Sequence, residues 1–129
     1  MTERTFTLEE ARSKLPTVRM LAERMVRVHA GLEGAAKALD PPEMECIVPL
    51  GYFRLLEAMR TIQASLAREG VMVKDTQRGL LDFPALYGGR IVLLCWKVGE
   101  DDIGYWHELD TGFSGRRPIS ELPDATRPD

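Results

Sequence analysis

Apolar residues recur at alternating steps of three and four through the first part of the chain. The series is Leu8, Ala11, Leu15, Val18, Ala22, Met25, His29, Leu32, Ala36 and Leu39. This spacing is typical of a helix that buries one narrow stripe, as the helices of a coiled coil do. His29 is its single polar member, and a lone histidine in such a stripe is expected to find a hydrogen-bond partner rather than to bind a ligand.

Helix-boundary signals accompany this series. Thr7 and Glu10 stand at capping-box spacing, so a helix is predicted to begin there. Pro16 lacks a backbone donor and clashes with the preceding turn, which predicts a kink or a short first helix that restarts. Gly31 lowers the helix propensity further along, and Asp40-Pro41-Pro42 is predicted to end the segment.

A second series with helical spacing follows, namely Tyr52, Leu55, Met59, Ile62 and Leu66. Gly70 comes directly after Glu69 and is a good helix stop, because glycine readily adopts the left-handed conformation that often ends a helix. The two helices are expected to pair antiparallel, as a hairpin over about residues 7–69.

Beyond Gly70 the pattern changes to short apolar runs that are typical of strands. Val71 to Lys74 and Leu80 to Phe83 suit short strands, and Arg90 to Val98 is the strongest strand pattern. Within that pattern, Ile91 to Trp96 are apolar at successive positions. Such a run is typical of a central strand that is covered on both faces, so another part of the chain is expected to cover the second face.

Ile103 to Leu109 are predicted to return as the partner of that strand. If the loop between them is Glu100-Asp101, then Leu94 opposes His107, and this histidine lies on the opposite face from Cys95. A slip of one residue would change every pair, because side chains alternate between the faces of a strand.

Together these patterns predict an α+β fold. A long antiparallel helical hairpin with a coiled-coil-like seam is expected to pack with a small antiparallel β-sheet over about residues 71–120. A chain of 129 residues and 14.5 kDa suits one domain over residues 1–129. The Pro-rich tail over residues 122–129 is expected to be frayed.

Composition narrows the class of function. The net charge is −3 and the basic residues are scattered, so the chain lacks the basic stripe of a nucleic-acid-binding protein. No apolar stretch approaches the roughly eighteen residues of a membrane span. Cys46 and Cys95 do not form a disulfide framework, and Cys95, inside an apolar run, is expected to be a buried and inert thiol. A cytoplasmic protein without nucleic-acid or membrane partners is therefore expected.

Specific motifs are concentrated in the last third of the chain. They are Gly79-Leu80-Leu81-Asp82-Phe83-Pro84-Ala85, Leu94-Cys95-Trp96 with Gly99-Glu100, Tyr105-Trp106-His107-Glu108, Gly112-Phe113 with Gly115-Arg116, and Pro118-Ile119. With the opening Phe6-Thr7-Leu8-Glu9-Glu10-Ala11, they resemble an uncharacterised bacterial family, a domain of unknown function, over nearly the whole chain. The resemblance implies helices packed with a small antiparallel sheet. It implies no established activity, and some members carry a cell division or division initiation label.

The same third contains the candidate polar site, which comprises Asp82, Glu100, His107, Glu108, Asp110 and Arg116. His107 and Glu108 are adjacent and point to opposite faces of a strand, whereas Glu108 and Asp110 share a face, with Cys95 or Asp82 arriving from elsewhere. His107, Glu108 and Asp110 are therefore the candidate metal ligands. Carboxylates with an imidazole suit zinc, manganese or iron, so the expected cofactor is either none or a divalent metal.

These residues also have structural interpretations. Asp82 is predicted to cap a turn; if it is buried instead, it would acquire the shifted pKa that acid–base catalysis requires. Glu100 is predicted to be a solvated turn residue. Arg116 is predicted to pair with Glu108 or Asp110, or else to clamp an anionic substrate.

Two functions are the main candidates, ahead of an adaptor for division machinery, which rests only on the family label and the coiled-coil-like seam. The first is a non-enzymatic protein-interaction or structural module that self-associates as a homo-oligomer, such as a dimer, or binds another protein. The alternative is a small metal-dependent or acid–base enzyme with a His/carboxylate site in the C-terminal third. An enzyme would bring the polar groups together in one pocket, whereas a module would spread them into separate ion pairs.

Overall fold

The computed structural model describes residues 4–38 and 50–122, and its elements confirm the predicted α+β fold. The elements are helices α1 (Leu8–Ala38) and α2 (Leu50–Arg68) and strands β1 (Met72–Asp75), β2 (Leu80–Tyr87), β3 (Arg90–Lys97), β4 (Tyr105–His107) and β5 (Arg117–Pro118). Short 3-10 helices, Phe113–Gly115 and Ile119–Glu121, flank β5. The helix end predicted at Asp40-Pro41-Pro42, the residue Cys46 and the tail from residue 123 lie outside the described residues.

Helix α1 begins with the predicted capping box. The Glu10 backbone N–H donates to Thr7 Oγ1 (3.0 Å), and the Thr7 N–H donates to Glu10 Oε1 (2.8 Å). Pro16 lies inside one continuous helix of 31 residues, so the predicted restart is wrong. Leu15 and Val18 of the apolar stripe are buried beside it, and burial along this stripe offsets the roughly 3 kcal/mol that an internal proline costs.

The two helices run antiparallel, as predicted. Lys14 Nζ near the start of α1 lies 3.0 Å from Glu69 Oε1 just after the end of α2. Further along, a Cβ at Gly31 would lie 3.3 Å from the side chain of Leu55. The helix backbones therefore approach closely at Gly31, which explains a glycine at a position where it weakens the helix.

Two further predictions about the helical region are confirmed. Gly70 follows α2 with φ +89°, and the Val71 N–H donates to the Leu66 carbonyl (3.1 Å), which closes the end of the helix. His29 finds a polar partner, since its Nδ1 lies 2.8 Å from Thr76 Oγ1 in the turn between β1 and β2. This contact joins α1 to the sheet.

The strands form one antiparallel sheet in the order β1-β2-β3-β4-β5. Alternate residues of β2 and β3 share a core with the helices, and these are Leu81, Phe83, Ala85, Tyr87, Val92, Leu94 and Trp96. The segment before α1 extends this layer, because the Phe6 N–H donates to the Pro84 carbonyl (2.8 Å) and Phe6 is buried.

The register between β3 and β4 differs by one residue from the register predicted for a Glu100-Asp101 loop. His107 opposes Leu93, and Trp106 opposes Leu94. The connection is longer than a two-residue turn because the Glu100 N–H donates to the Lys97 carbonyl (3.0 Å) and Ile103 then turns into the core. This shift moves His107 to the face that carries Cys95, and Trp106 to the helix-facing core.

Candidate functional site

The segment after β4 folds back over the second face of the sheet, the face opposite the helices. Its residues Leu109 and Phe113 line a cavity of about 230 Å³ together with Asp82 and His107 of the sheet. Leu93, on the same face of the sheet, is buried. The second face is therefore partly covered by the chain itself, as the doubly apolar strand predicted.

Asp82 of β2 and His107 of β4 form a buried pair across the intervening strand β3. His107 Nε2 lies 3.1 Å from each of the two carboxylate oxygens of Asp82. The two side chains are only 1% and 4% exposed, respectively. A buried carboxylate is very unfavourable unless it is paired and hydrogen-bonded. Asp82 therefore needs His107 as its polar partner, and His107 needs Asp82.

The other ring nitrogen of His107 limits what Nε2 can do. His107 Nδ1 lies 2.7 Å from the carbonyl oxygen of Glu108, and since a carbonyl only accepts, Nδ1 carries a hydrogen and donates it. In a neutral ring, Nε2 then bears a lone pair that points at the oxygens of Asp82. This arrangement requires a cation between the two groups, either a shared proton or a metal ion.

Cys95 completes a cluster of three different donor types. It lies directly across from Asp82 in the pairing of β2 with β3. One ligand atom from each of Asp82, Cys95 and His107 lies within 4.8 Å of the other two. We refer to these three residues as the D-C-H cluster.

Burial controls the protonation of this cluster. It raises the pKa of the Cys95 thiol to about 12, so the thiol stays protonated at neutral pH unless a metal ion binds it. Burial also raises the pKa of the Asp82 carboxyl, and the neighbouring His107 opposes that rise. A cation placed in the cluster would therefore stabilise groups that burial makes unfavourable as anions.

A larger cavity of about 540 Å³ adjoins the first on the same face. Its lining consists of Arg4, Thr5, Ala67, Gly70, Val71, Met72, Pro84, Ile91, Leu93 and Leu109. Leu93 and Leu109 line both cavities. Its volume falls in the range of roughly 300–1,000 Å³ that is usual for small-molecule sites, and its lining is mainly apolar, as in such sites.

The family described as an uncharacterized conserved protein (DUF2203) has a model that matches residues 4–119. The chain belongs to this family. The resemblance to a domain of unknown function is thereby confirmed, and the D-C-H cluster lies within the matched part of this DUF2203 chain. No curated protein and no solved structure matches it. Within residues 4–38 and 50–122, no helix combines the length and the apolar character needed to cross a membrane.

Two of the predicted site residues of this DUF2203 chain lie away from the cluster. Glu108 forms an ion pair with Arg90, in which Arg90 Nη2 lies 2.7 Å from Glu108 Oε2 and Nε lies 3.1 Å from Oε1. The hydrogen bonds from Arg90 lower the pKa of Glu108. Asp110 is exposed in the turn after β4. Neither carboxylate lines the cavity that contains Asp82 and His107.

Glu100 and Arg116 form a separate ion pair beside the connection between β3 and β4. Arg116 Nη2 lies 2.9 Å from Glu100 Oε2, and the guanidinium lies over the rings of Tyr105 (3.9 Å) and Phe113 (4.5 Å). The predicted pairing of Arg116 with Glu108 or Asp110 is wrong because these rings hold its guanidinium beside Glu100. Glu100 is partly buried, and its predicted role as a solvated turn residue is wrong as well.

The predicted role of Asp82 is wrong, and Cys95 is not among the six residues of the predicted polar site. Asp82 does not cap a turn, since it lies inside β2 and pairs with His107. The apolar neighbours of Asp82 were the signal that could have revealed its role. A carboxylate between Leu81 and Phe83 in a strand is buried and needs a buried polar partner. Cys95 lies beside Asp82 because β2 pairs with β3. The pattern of residues along a single strand does not specify which residues of two strands pair.

Proposed function

We propose that the protein binds a divalent metal ion of the zinc class through Asp82, Cys95 and His107. The observation that carries this proposal is the orientation of His107, whose Nδ1 is committed to the Glu108 carbonyl while Nε2 points at the Asp82 carboxylate. Imidazoles that bind zinc commonly donate their other N–H to a backbone carbonyl or a carboxylate, which fixes the ring. The hydrogen bond from His107 Nδ1 has this form.

The donor set and its dimensions fit zinc. A carboxylate oxygen, a thiolate sulfur and an imidazole nitrogen are its usual protein ligands, at about 2.0–2.3 Å from the ion. Donors at those distances around a tetrahedral ion lie roughly 3.3–3.8 Å apart. The three ligand atoms lie within 4.8 Å of one another, so binding would draw them slightly closer together. A bound ion would replace the thiol proton of Cys95. The lone pair on His107 Nε2 would bind this ion instead of a proton.

Three protein ligands leave one coordination position open, as in catalytic zinc sites. The cavity lined by Asp82 and His107 gives that position room for water or a ligand. An ion there would polarise a bound oxygen and make bound water more acidic. We therefore favour the metal-dependent form of the enzyme hypothesis, with the ligands Asp82 and Cys95 in place of the predicted Glu108 and Asp110. Without an ion, the Asp82–His107 pair would hold a proton, which is the acid–base form of that hypothesis.

The test is zinc binding by protein purified without chelator, measured by native mass spectrometry and by titration against a zinc-binding dye. Cys95→Ser, Asp82→Asn and His107→Ala are expected to lower zinc affinity by more than the roughly 10–100-fold that follows loss of an outer-shell partner. Glu108→Gln and Asp110→Asn are matched controls, because they remove nearby charges outside the cluster. Circular dichroism checks that each variant is folded.

Cobalt gives an independent readout of the thiolate. Cobalt-loaded protein is expected to show a sulfur-to-metal charge-transfer band that Cys95→Ser removes and Glu108→Gln retains. Zinc affinity that is equal in the wild type and all three ligand variants would refute the proposal. A loss of zinc in the two control variants alone would instead support the ligand set predicted from the sequence.

A second candidate function is the self-associating, non-enzymatic module, with a second copy or another protein as partner. It is favoured by exposed apolar side chains near the start of α2, where Leu50 and Phe53 are 64% and 54% exposed. Glu108 and Glu100 also form separate ion pairs, which fits a module. Sedimentation over a range of concentrations tests it: a dimer that Phe53→Ser weakens would support this function, and a monomer throughout would refute self-association. A cytoplasmic location suits either function, since a reducing compartment keeps Cys95 available.

A further inference from the structure

The two cavities on the second face of the sheet are neighbours that differ in character, and a ligand that spans both would occupy the space that they make together. Leu93 and Leu109 contribute to the lining of both. The smaller cavity presents Asp82 and His107 together with the exposed cation Lys74, whereas the lining of the larger one is mainly apolar. A ligand that fills this space would need one polar end and one hydrocarbon end.

We infer that this space binds a small amphiphilic carboxylate. Its carboxylate lies in the smaller cavity, against the metal ion and Lys74, and its hydrocarbon chain lies in the larger cavity. This inference rests on the proposed metal site, because the ion supplies most of the positive charge that holds the carboxylate beside Asp82.

The charges around the space favour an anion once the ion is bound. Lys74 and Arg4 line the smaller and the larger cavity, respectively. Among the residues that the structure describes, neither forms a salt bridge, in contrast to Lys14 and Arg90. Lys74 also interacts with Asp82, where it opposes the rise in pKa that burial causes, and Arg4 lies over the Phe6 ring. Once a metal ion offsets the charge of Asp82, both cations can attract an anionic ligand.

The apolar walls favour a hydrocarbon chain. Leu109 is 63% exposed and Met72 is 40% exposed, although both line the larger cavity. A chain in the cavity would cover these side chains and the buried Leu93 beneath them. Because each methylene removed from water strengthens binding roughly fourfold, affinity is expected to rise with chain length until the cavity is full.

The test uses octanoate as the probe and zinc-loaded protein in isothermal titration calorimetry. Acetate has the same carboxylate without the chain, and octanol has the chain without the carboxylate. Octanoate is expected to bind at least about tenfold more tightly than either one. Met72→Ser and Leu109→Ser are expected to weaken octanoate binding severalfold. Met72→Ser is also expected to leave zinc affinity unchanged, because Met72 lines only the larger cavity. Leu86→Ser is the matched control, since Leu86 is an exposed leucine of β2 that lines neither cavity.

Several results would overturn the inference. Octanoate that binds no more tightly than acetate would exclude the hydrocarbon site, and octanol that binds as tightly as octanoate would exclude the carboxylate site. Equal octanoate affinity with and without zinc would exclude coordination by the ion. The zinc titration separates the two proposals: protein that binds zinc stoichiometrically but not octanoate refutes this inference alone, whereas failure to bind zinc refutes the proposed function.

Discussion

Replacing His107 with leucine tests how much the Asp82–His107 pair contributes to the metal-free protein. The substitution removes the partner of a carboxylate whose side chain is 1% exposed. Breaking a buried ion pair from one side typically costs 3–5 kcal/mol, because an uncompensated charge remains. Asp82 can limit the loss by taking up a proton. Protonating a carboxyl of ordinary pKa near 4 at pH 7 costs about 4 kcal/mol, at 1.36 kcal/mol per unit.

We therefore expect His107→Leu to lower the free energy of unfolding by about 3–4 kcal/mol at pH 7. That is a large fraction of the roughly 5–15 kcal/mol that stabilises a typical domain. The double variant Asp82→Leu with His107→Leu removes both polar groups. It is expected to recover most of the loss, because apolar replacements of both partners in a buried pair are often neutral or stabilising.

The assay is urea unfolding followed by tryptophan fluorescence, with chelator present so that no bound metal contributes. Glu108→Gln is the control and is expected to change the stability little, since its partner Arg90 is at the surface. A loss below about 1 kcal/mol for His107→Leu would refute the argument. So would a double variant that is less stable than either single one, because the loss could not then be assigned to an unpaired charge.

Three further predictions concern the scaffold. The hydrogen bonds from Arg78 lower the pKa of Asp75, so Asp75 stabilises the fold above its ordinary pKa near 4 and loses this effect as the pH falls through the lowered folded-state pKa. Urea unfolding should show that Asp75→Asn destabilises more at pH 7 than at pH 3. Gly79 has φ +68° and a Cβ there would overlap a neighbouring valine, so Gly79→Ala should lower the free energy of unfolding by at least about 1–3 kcal/mol. Gly34 has open space around it, so Gly34→Ala should raise the free energy of unfolding by up to about 1 kcal/mol. Equal effects of the two substitutions would contradict the geometry. Arg116→Lys should lower the midpoint of thermal unfolding, because lysine cannot stack its charge flat between two rings; an unchanged midpoint would show that this stacking contributes nothing.

Much of the architecture could be predicted because it depends on local periodicity. The three-and-four spacing that predicted α1 reappears as its buried face as far as Met25, with Ala11, Val18 and Met25 fully buried. Further along, Ala36 is exposed. Gly70 ends α2 as expected, since the left-handed conformation there is a local property of glycine. The doubly apolar pattern of β3 likewise predicted a central strand covered on both faces.

Pro16 marks the limit of local rules. Its chemistry predicted a kink or a helix that restarts, and α1 continues through it without a restart. The local cost of the proline is a few kcal/mol, and the burial of a long stripe against α2 and the sheet is larger in sum. Tertiary packing decides such cases, and it cannot be inferred from the proline and its neighbours alone.

The candidate site illustrates the same division. The sequence by itself determined the two helices, strands β1 to β4 and the set of polar residues in the last third, because each follows from spacing along one segment. Only the tertiary structure decided which of them meet. The partly buried turn at Glu100 and the burial of Ile103 shift β4 by one residue. Since side chains alternate along a strand, that shift moves His107 from the helix-facing core to Asp82 and Cys95.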